Sequence, residues 1–443
     1  MTKKHLLSIP VVFCVFICTM CTDAISPLLQ KQKNNRFISL SEAKANVLDL
    51  LRIIDTKTTK GASNSRQIAN CFSLGFGTKG SNGGLIYHVI NFADNKGYAL
   101  ASADRRTMPV FCVIDEGQFS GFDKIDNPSF KAILKSIDIY YHLKTGAKVF
   151  DTNGNEVPKE VLVRRFGDVL DEEFNEDTIE CFYPEGSYVE YQAWQPKERF
   201  GTILSTKWGQ RHNFNKYCFT QSGASAPAGC APVAIGQIMA FHQHNITYNG
   251  HVYNWSIMSN VIDTTSCPND TVAWNAVAHL LADLGRPENL NVSYGIDGSG
   301  ADFSLSPRSF LNFGYSHTGS HQDYDALSSL NNKLYYGPVL ISGYAVDSLA
   351  IINMAHTWII DEEVTRRRRV RYNYQSTDYT EVYQEDRVIH MNIGAYGYAN
   401  GYYYPDYLNI GMGPINFRND SLILNTNLDI EMNTFLEYYY DIY

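Results

Sequence analysis

Ala228-Gly229-Cys230-Ala231-Pro232-Val233-Ala234-Ile235-Gly236-Gln237-Ile238-Met239 is the stretch on which the fold turns. Val233, Ile235 or Gly236, Ile238, Met239 and Phe241 recur at helical spacing and predict a helix over Cys230 to His244. Gly229 allows close backbone approach just before it. A thiol that opens a helix sits at the positive end of the macrodipole, which stabilises its thiolate. The Cys230 amide, one of the unpaired donors of a helix start, is also free to meet an oxyanion. A bare cysteine is more often a small core residue, so position alone does not make a nucleophile.

A nucleophilic thiol needs a base, and the chain holds 12 His. His242 and His244 share the helix with Cys230, about 18 Å along its axis, and cannot reach it. His356 follows Asn353-Met354-Ala355 and opens the apolar strand Thr357-Trp358-Ile359-Ile360, far in sequence from Cys230. That is the arrangement a thiol–imidazole pair requires. His212, His251, His279, His317, His321 and His390 are expected to be surface or packing residues.

Outward from this pair, the chain has 443 residues, enough for two or three units. Hydrophobic residues at 44% and charged residues at 19% describe a globular protein, not a collagen-like or low-complexity one. The net charge of −9 repels phosphate backbones and argues against nucleic acid as a partner. Thirty Tyr against 5 Trp suggest a surface of the kind extracellular peptide- and carbohydrate-handling proteins carry. Of the 9 Cys, those at 14, 18 and 21 belong to the N-terminus; the remaining ones are irregularly spaced and form no CxxC pair, so there is no zinc pattern. No metal or organic cofactor is implied.

Residues 1–21 form an export signal: Lys3, Lys4 and His5 precede the apolar run Leu6 to Met20, too short for a spanning helix. A lipoprotein signal would place its acylated cysteine at Cys21; a simple cleaved signal ending nearby fits as well. The expected location is therefore extracellular or the bacterial cell envelope, with membrane contact only through a lipid anchor at Cys21. Residues 30–150 read as a compact α+β unit. Its elements are an amphipathic helix over 38–60 capped by Ser39 or Ser41, strands at Leu85–Phe92, Gly97–Ser102 and Val110–Ile114, and a helix over Phe130–Thr145. Residues 151–199, with acidic runs and no periodicity, read as a cleavable linker. Residues 200–443 place helices first (Asp270–Leu284, Ser304–Phe313, Ala326–Tyr335). Strands follow at Thr357–Asp361, Arg367–Tyr374, Arg387–Asn392 and Gly401–Tyr404, an α+β signature. The basic run Arg366–Arg369 with Arg371 reads as a solvated hairpin, and Tyr438–Tyr443 as an edge strand or a disordered end.

The Cys230 segment resembles the nucleophile helix of the streptopain family of papain-like cysteine peptidases. Three further blocks agree in order: Thr206-Lys207-Trp208-Gly209-Gln210, then Ala355-His356-Thr357-Trp358-Ile359-Ile360-Asp361, then His390-Met391-Asn392. Gly97-Tyr98-Ala99-Leu100-Ala101-Ser102-Ala103-Asp104 resembles the family's inhibitory propeptide. The resemblance implies a papain-like fold behind a small α+β prodomain that acts as an intramolecular inhibitor, and protein or peptide substrates. It implies Cys230 as nucleophile, His356 as its partner, Gln210 as support for the oxyanion and Asn392 as the residue that orients His356, by side chain or backbone. The family's Trp-Gly-Trp after the asparagine is replaced here by Ile393-Gly394-Ala395. Smaller residues there predict water entry, a slow peptidase and a gain in rate when Trp is restored at 393. The alternatives are an inactive relative acting as a binding or inhibitory surface protein, and a non-proteolytic adhesin.

Overall fold

The computed structural model describes residues 36–57, 66–75, 85–125, 127–146, 149–150, 156–157, 188–323, 330–346, 353–373, 379–405 and 435–442. The expected export signal over residues 1–21 lies outside them. None of the described helices is long and apolar enough to cross a membrane.

Helix α1 (Leu40–Ile54) is capped by Ser39, whose Oγ accepts the Glu42 N–H, and buries Val47, Leu50, Leu51 and Ile54. It packs on strands β1 (Ile68–Gly75), β2 (Leu85–Phe92), β3 (Tyr98–Ser102) and β4 (Val110–Ile114), of which β3 and β4 are buried along their whole length. Burial on both faces explains why these two strands read as unbroken apolar runs. Helix α2 (Pro128–Thr145) starts with a proline behind an Asn127 cap and stops at Gly146 in the left-handed region.

The second half contributes β5 (Tyr188–Tyr191), β6 (Gln195–Gly201), helix α3 (Cys230–His242) and helix α4 (Thr271–Leu284). It then adds β7 (Thr318–Asp323), β8 (Val339–Val346), β9 (Asn353–Asn373), β10 (Tyr379–Asn392), β11 (Gly401–Tyr403) and β12 (Phe435–Ile442). All these strands form one 12-stranded sheet in the order β1-β2-β3-β4-β11-β10-β9-β8-β12-β7, with β5 and β6 also paired to β9. The amino-terminal strands therefore continue the carboxy-terminal sheet through the antiparallel pair β4–β11. Gly401 makes that seam possible, because a Cβ there would lie 2.3 Å from the Val113 carbonyl oxygen.

Alternation along β8 and β9 separates two cores. Val339, Ile341, Trp358 and Ile360 join α1, α2 and the amino-terminal strands. Leu340 and Ile359 join α3 and α4 on the other face.

Four expectations need correction. The linker expected over 151–199 ends in strands: Tyr191 pairs with Val370, and Gly201 with Glu362. The two strands expected at 357–361 and 367–374 are one, because the charges between them are paired instead of solvated. Glu362 binds Arg199, Glu363 accepts the Leu330 N–H at 2.9 Å, and Arg366 binds Asp386 at 2.7 Å. Arg366 is buried, with Trp194 stacked on its guanidinium at 4.4 Å, so the basic run is not a freely solvated one. The tail strand β12 is interior, between β8 and β7.

Candidate active site

Gly229 precedes α3 at φ +96°, a value that favours glycine, and a Cβ there would press on Pro232 Cδ at 3.3 Å. The approach to the helix is fixed on both sides. The Ala228 N–H donates to the Gln210 carbonyl at 2.7 Å, and Ser299 Oγ donates to the Pro227 carbonyl at 2.7 Å. Cys230 thus becomes the first helical residue, half-buried, against the start of β9.

His356 lies there. Its side chain, with the Thr357 N–H and hydroxyl, lies close enough to the Cys230 thiol to stabilise the thiolate. Burial pushes the Cys230 thiol up, but the His356 hydrogen bond and charge, with the two Thr357 donors, outweigh it and bring the pKa below the ordinary value of 9.0. Burial prevails elsewhere, over one opposing hydrogen bond each from Leu100 and Tyr294: Cys112 is pushed up to about 12 and Cys218 to about 11. Cys230 is thereby separated from those thiols by its partners, not by its exposure.

One ring nitrogen, His356 Nε2, donates to the Ile393 carbonyl at 2.8 Å. Trp358, two residues along the same face of β9, lies parallel to the imidazole with ring centroids 5.8 Å apart. One side of the histidine therefore has an indole wall, although both family tryptophans of the 393–395 loop are replaced.

Asn392 does not hold His356; its neighbour's carbonyl does. The Asn392 amide donates to the Thr206 carbonyl at 2.8 Å and to Gln237 Oε1 at 3.2 Å, while its Oδ1 accepts the Gly394 N–H at 3.1 Å. Its work is to turn the chain so that Ile393 presents its carbonyl. Gln210 is bonded through its backbone to Ala228, and its carboxamide makes no hydrogen bond among the described residues.

Several positioning residues escaped the sequence analysis. Gln237 is fully buried, and its Oε1 accepts the Trp208 N–H at 3.1 Å, tying α3 to both the 206–210 segment and Asn392. A polar residue seven positions after Cys230 on an otherwise apolar helix was the available signal. Asn400 accepts the Ile393 N–H at 2.9 Å through Oδ1 and fixes the carbonyl that holds His356. His390, expected at the surface or in packing, is a buried charged residue between Asp361 at 2.5 Å and Asp115 at 2.8 Å.

Among known proteins, the prointerpain A fragment of Prevotella intermedia superposes with a TM-score of 0.46 at 18% identity, over 83% of this chain and 98% of that one. Interpain A, a cysteine protease of Prevotella intermedia, gives 0.34 at 20% identity, over 54% and 93%. No curated protein matches the chain. The model of the Peptidase C10 family matches residues 208–403, a span that includes Gln210, Cys230, His356 and Asn392. Over that span the chain is similar to the Peptidase C10 family, and the protein is a cysteine-type peptidase.

Proposed function

We propose that the protein is an exported endopeptidase made as a latent precursor, working through a Cys230 thiolate and a His356 imidazolium. The observation that carries this reading is the placement of His356: its Nε2 donates to the Ile393 carbonyl, and its side chain stands beside the Cys230 thiol and draws that thiol's pKa down. The thiolate attacks the scissile carbonyl carbon and forms a C–S bond. The carbonyl oxygen takes the charge, met by the Cys230 N–H at the helix start and the Gln210 carboxamide. His356 then gives its proton to the leaving amine as the C–N bond breaks. Water, deprotonated by His356, releases the acyl group and restores the thiol pair.

Latency is assigned to residues 30–150. Their edge strand β4 pairs with β11, and the Asp115 N–H donates to the Asn400 carbonyl at 2.9 Å, one residue contact from the loop that holds His356. Since 188–201 is part of the sheet beside β9, we place the maturation cut in the part of the expected 151–199 linker that precedes Tyr188.

Mass spectrometry of the full chain with and without an epoxide inhibitor of cysteine peptidases tests both parts. The expected result is one adduct on Cys230, none on the Cys230→Ala variant, and processing in the wild type alone. Undiminished peptide hydrolysis by Cys230→Ala overturns the mechanism. An active, uncut full chain overturns latency.

A further inference from the structure

The loop that follows the histidine's acceptor contains an unexplained strain. Tyr396 has φ +61°, a left-handed conformation that a bulky aromatic residue adopts only when its surroundings force it. Three contacts do so, and all go to one four-residue stretch. The Tyr396 N–H donates to the Trp208 carbonyl at 3.0 Å, and the Arg211 N–H donates to the Tyr396 hydroxyl at 2.6 Å. Between those two bonds the ring covers Gly209 so closely that a Cβ there would lie 2.2 Å from Tyr396 Cε1. Phe214 and His212 flank the ring, with centroids at 6.2 Å and 5.0 Å.

Gln210 is the residue enclosed. Its neighbours on either side are bound to Tyr396, its own carbonyl is bound to Ala228, and its carboxamide remains without a hydrogen bond among the described residues. We propose that Tyr396 is a positioning residue that clamps residues 208–211 so that Gln210 is aimed at the oxyanion. The short loop 393–396 then orients both partners of the chemistry, His356 through the Ile393 carbonyl and Gln210 through Tyr396. Gly209 is the small residue that the ring requires. This inference rests on the proposed roles of Cys230, His356 and Gln210.

The test compares two reactions of Cys230 in the full chain after it has processed itself. Peptide hydrolysis develops an oxyanion; alkylation by iodoacetamide does not. Tyr396→Phe removes the hydroxyl and leaves the ring. It is expected to lower kcat for a fluorogenic peptide about tenfold, near 1.4 kcal/mol, with KM within about twofold and the alkylation rate unchanged. Gly209→Ala, which forces the ring away, is expected to lower kcat in the wild type but to add little on top of Tyr396→Ala. An unchanged kcat for Tyr396→Phe overturns the clamp. So does a parallel loss of hydrolysis and alkylation, which would place the effect on the thiol pair or the fold. A wild type that neither hydrolyses nor alkylates faster than a free thiol overturns the mechanism itself, and the clamp with it.

Discussion

His356 and His390 are buried histidines on neighbouring strands, β9 and β10, and their surroundings make them opposite tools. His390 is held between two carboxylates, Asp361 on Nδ1 and Asp115 on Nε2. Burial opposes its charge, but the two aspartates outweigh burial and push its pKa up to about 10. A ring locked as imidazolium cannot take a proton at neutral pH. His356 has a neutral carbonyl on one side and a thiol on the other. The carbonyl fixes the ring's direction and brings no charge to it. What separates the histidine proposed as catalytic from the structural one is the charge of the acceptor behind it, not burial.

The contrast extends to the charges around each site. Asp115 is drawn below its ordinary carboxylate value; burial raises it, but His390 and Arg66 outweigh that. Asp55 shares Arg66 at 3.3 Å, and the Tyr402 ring stands edge-on to His390 at 5.0 Å. This closed network ties the amino-terminal unit, through Asp115, to the sheet that carries His356. Around Cys230, the groups among the described residues that act on the thiol are His356 and Thr357.

The strongest way to break the comparison is Cys230→Ala. Hydrolysis of a fluorogenic peptide should fall by at least about 10³-fold, because the nucleophile is removed, while the melting temperature stays within a degree or two. A large drop in melting temperature would mean that Cys230, like His390, is structural.

His390→Gln should do the reverse and cost about 3–5 kcal/mol of stability, since it leaves Asp361 and Asp115 facing each other without the cation. The pH dependence has a defined sign. His390 has a folded pKa of about 10 against an ordinary 6.5, so its stabilisation is complete below about pH 6.5 and fades as pH rises through 10. The Asp115 contribution holds above its ordinary 3.8 and is lost as pH falls through its lower folded value. Thermal melts from pH 5 to 10 should show the gap between wild type and variant closing toward the alkaline end. A constant gap would show that His390 is not carried as a cation.

Ile393→Trp sharpens the catalytic side. From sequence alone a tryptophan there was expected to raise the rate. Ile393 is fully buried, its carbonyl holds His356 and its N–H is held by Asn400, so a larger side chain must displace that carbonyl. The expected result is a loss of about 1–3 kcal/mol in stability and slower alkylation of Cys230. A faster enzyme would restore the original expectation.

Asp115→Asn should have the smallest effect, about 1–2 kcal/mol, because an amide oxygen still accepts from His390 while the charge is gone. Limited proteolysis should cut the amino-terminal unit of the variant faster. Equal rates would show that the seam is held by β4–β11 pairing alone.

The nucleophile helix, the order of Gln210, Cys230, His356 and Asn392, and the amino-terminal α+β unit were legible because they are local. Helix period, strand alternation, capping residues and motif spacing are properties of short windows of sequence. Ser39 and Gly229 acted where their residue types predict. Charged stretches were read wrongly for one reason. Asp361 to Arg366 and Gln195 to Gly201 have the composition of solvated chain; pairing with Arg199, His390 and Asp386 makes the first a buried strand, and pairing with it draws the second into the sheet with its side chains still exposed or half-buried. The acceptor of His356 was likewise invisible, because a backbone carbonyl has no residue type. Sequence alone named the side chains proposed to carry the chemistry and determined where the helices and most strands lie. Tertiary structure alone decided which carbonyl orients the base, which histidine is locked as a cation and that two apparent units share one sheet. Those three depend on partners distant in sequence, and a charge or a hydrogen bond has no character until its partner is in place.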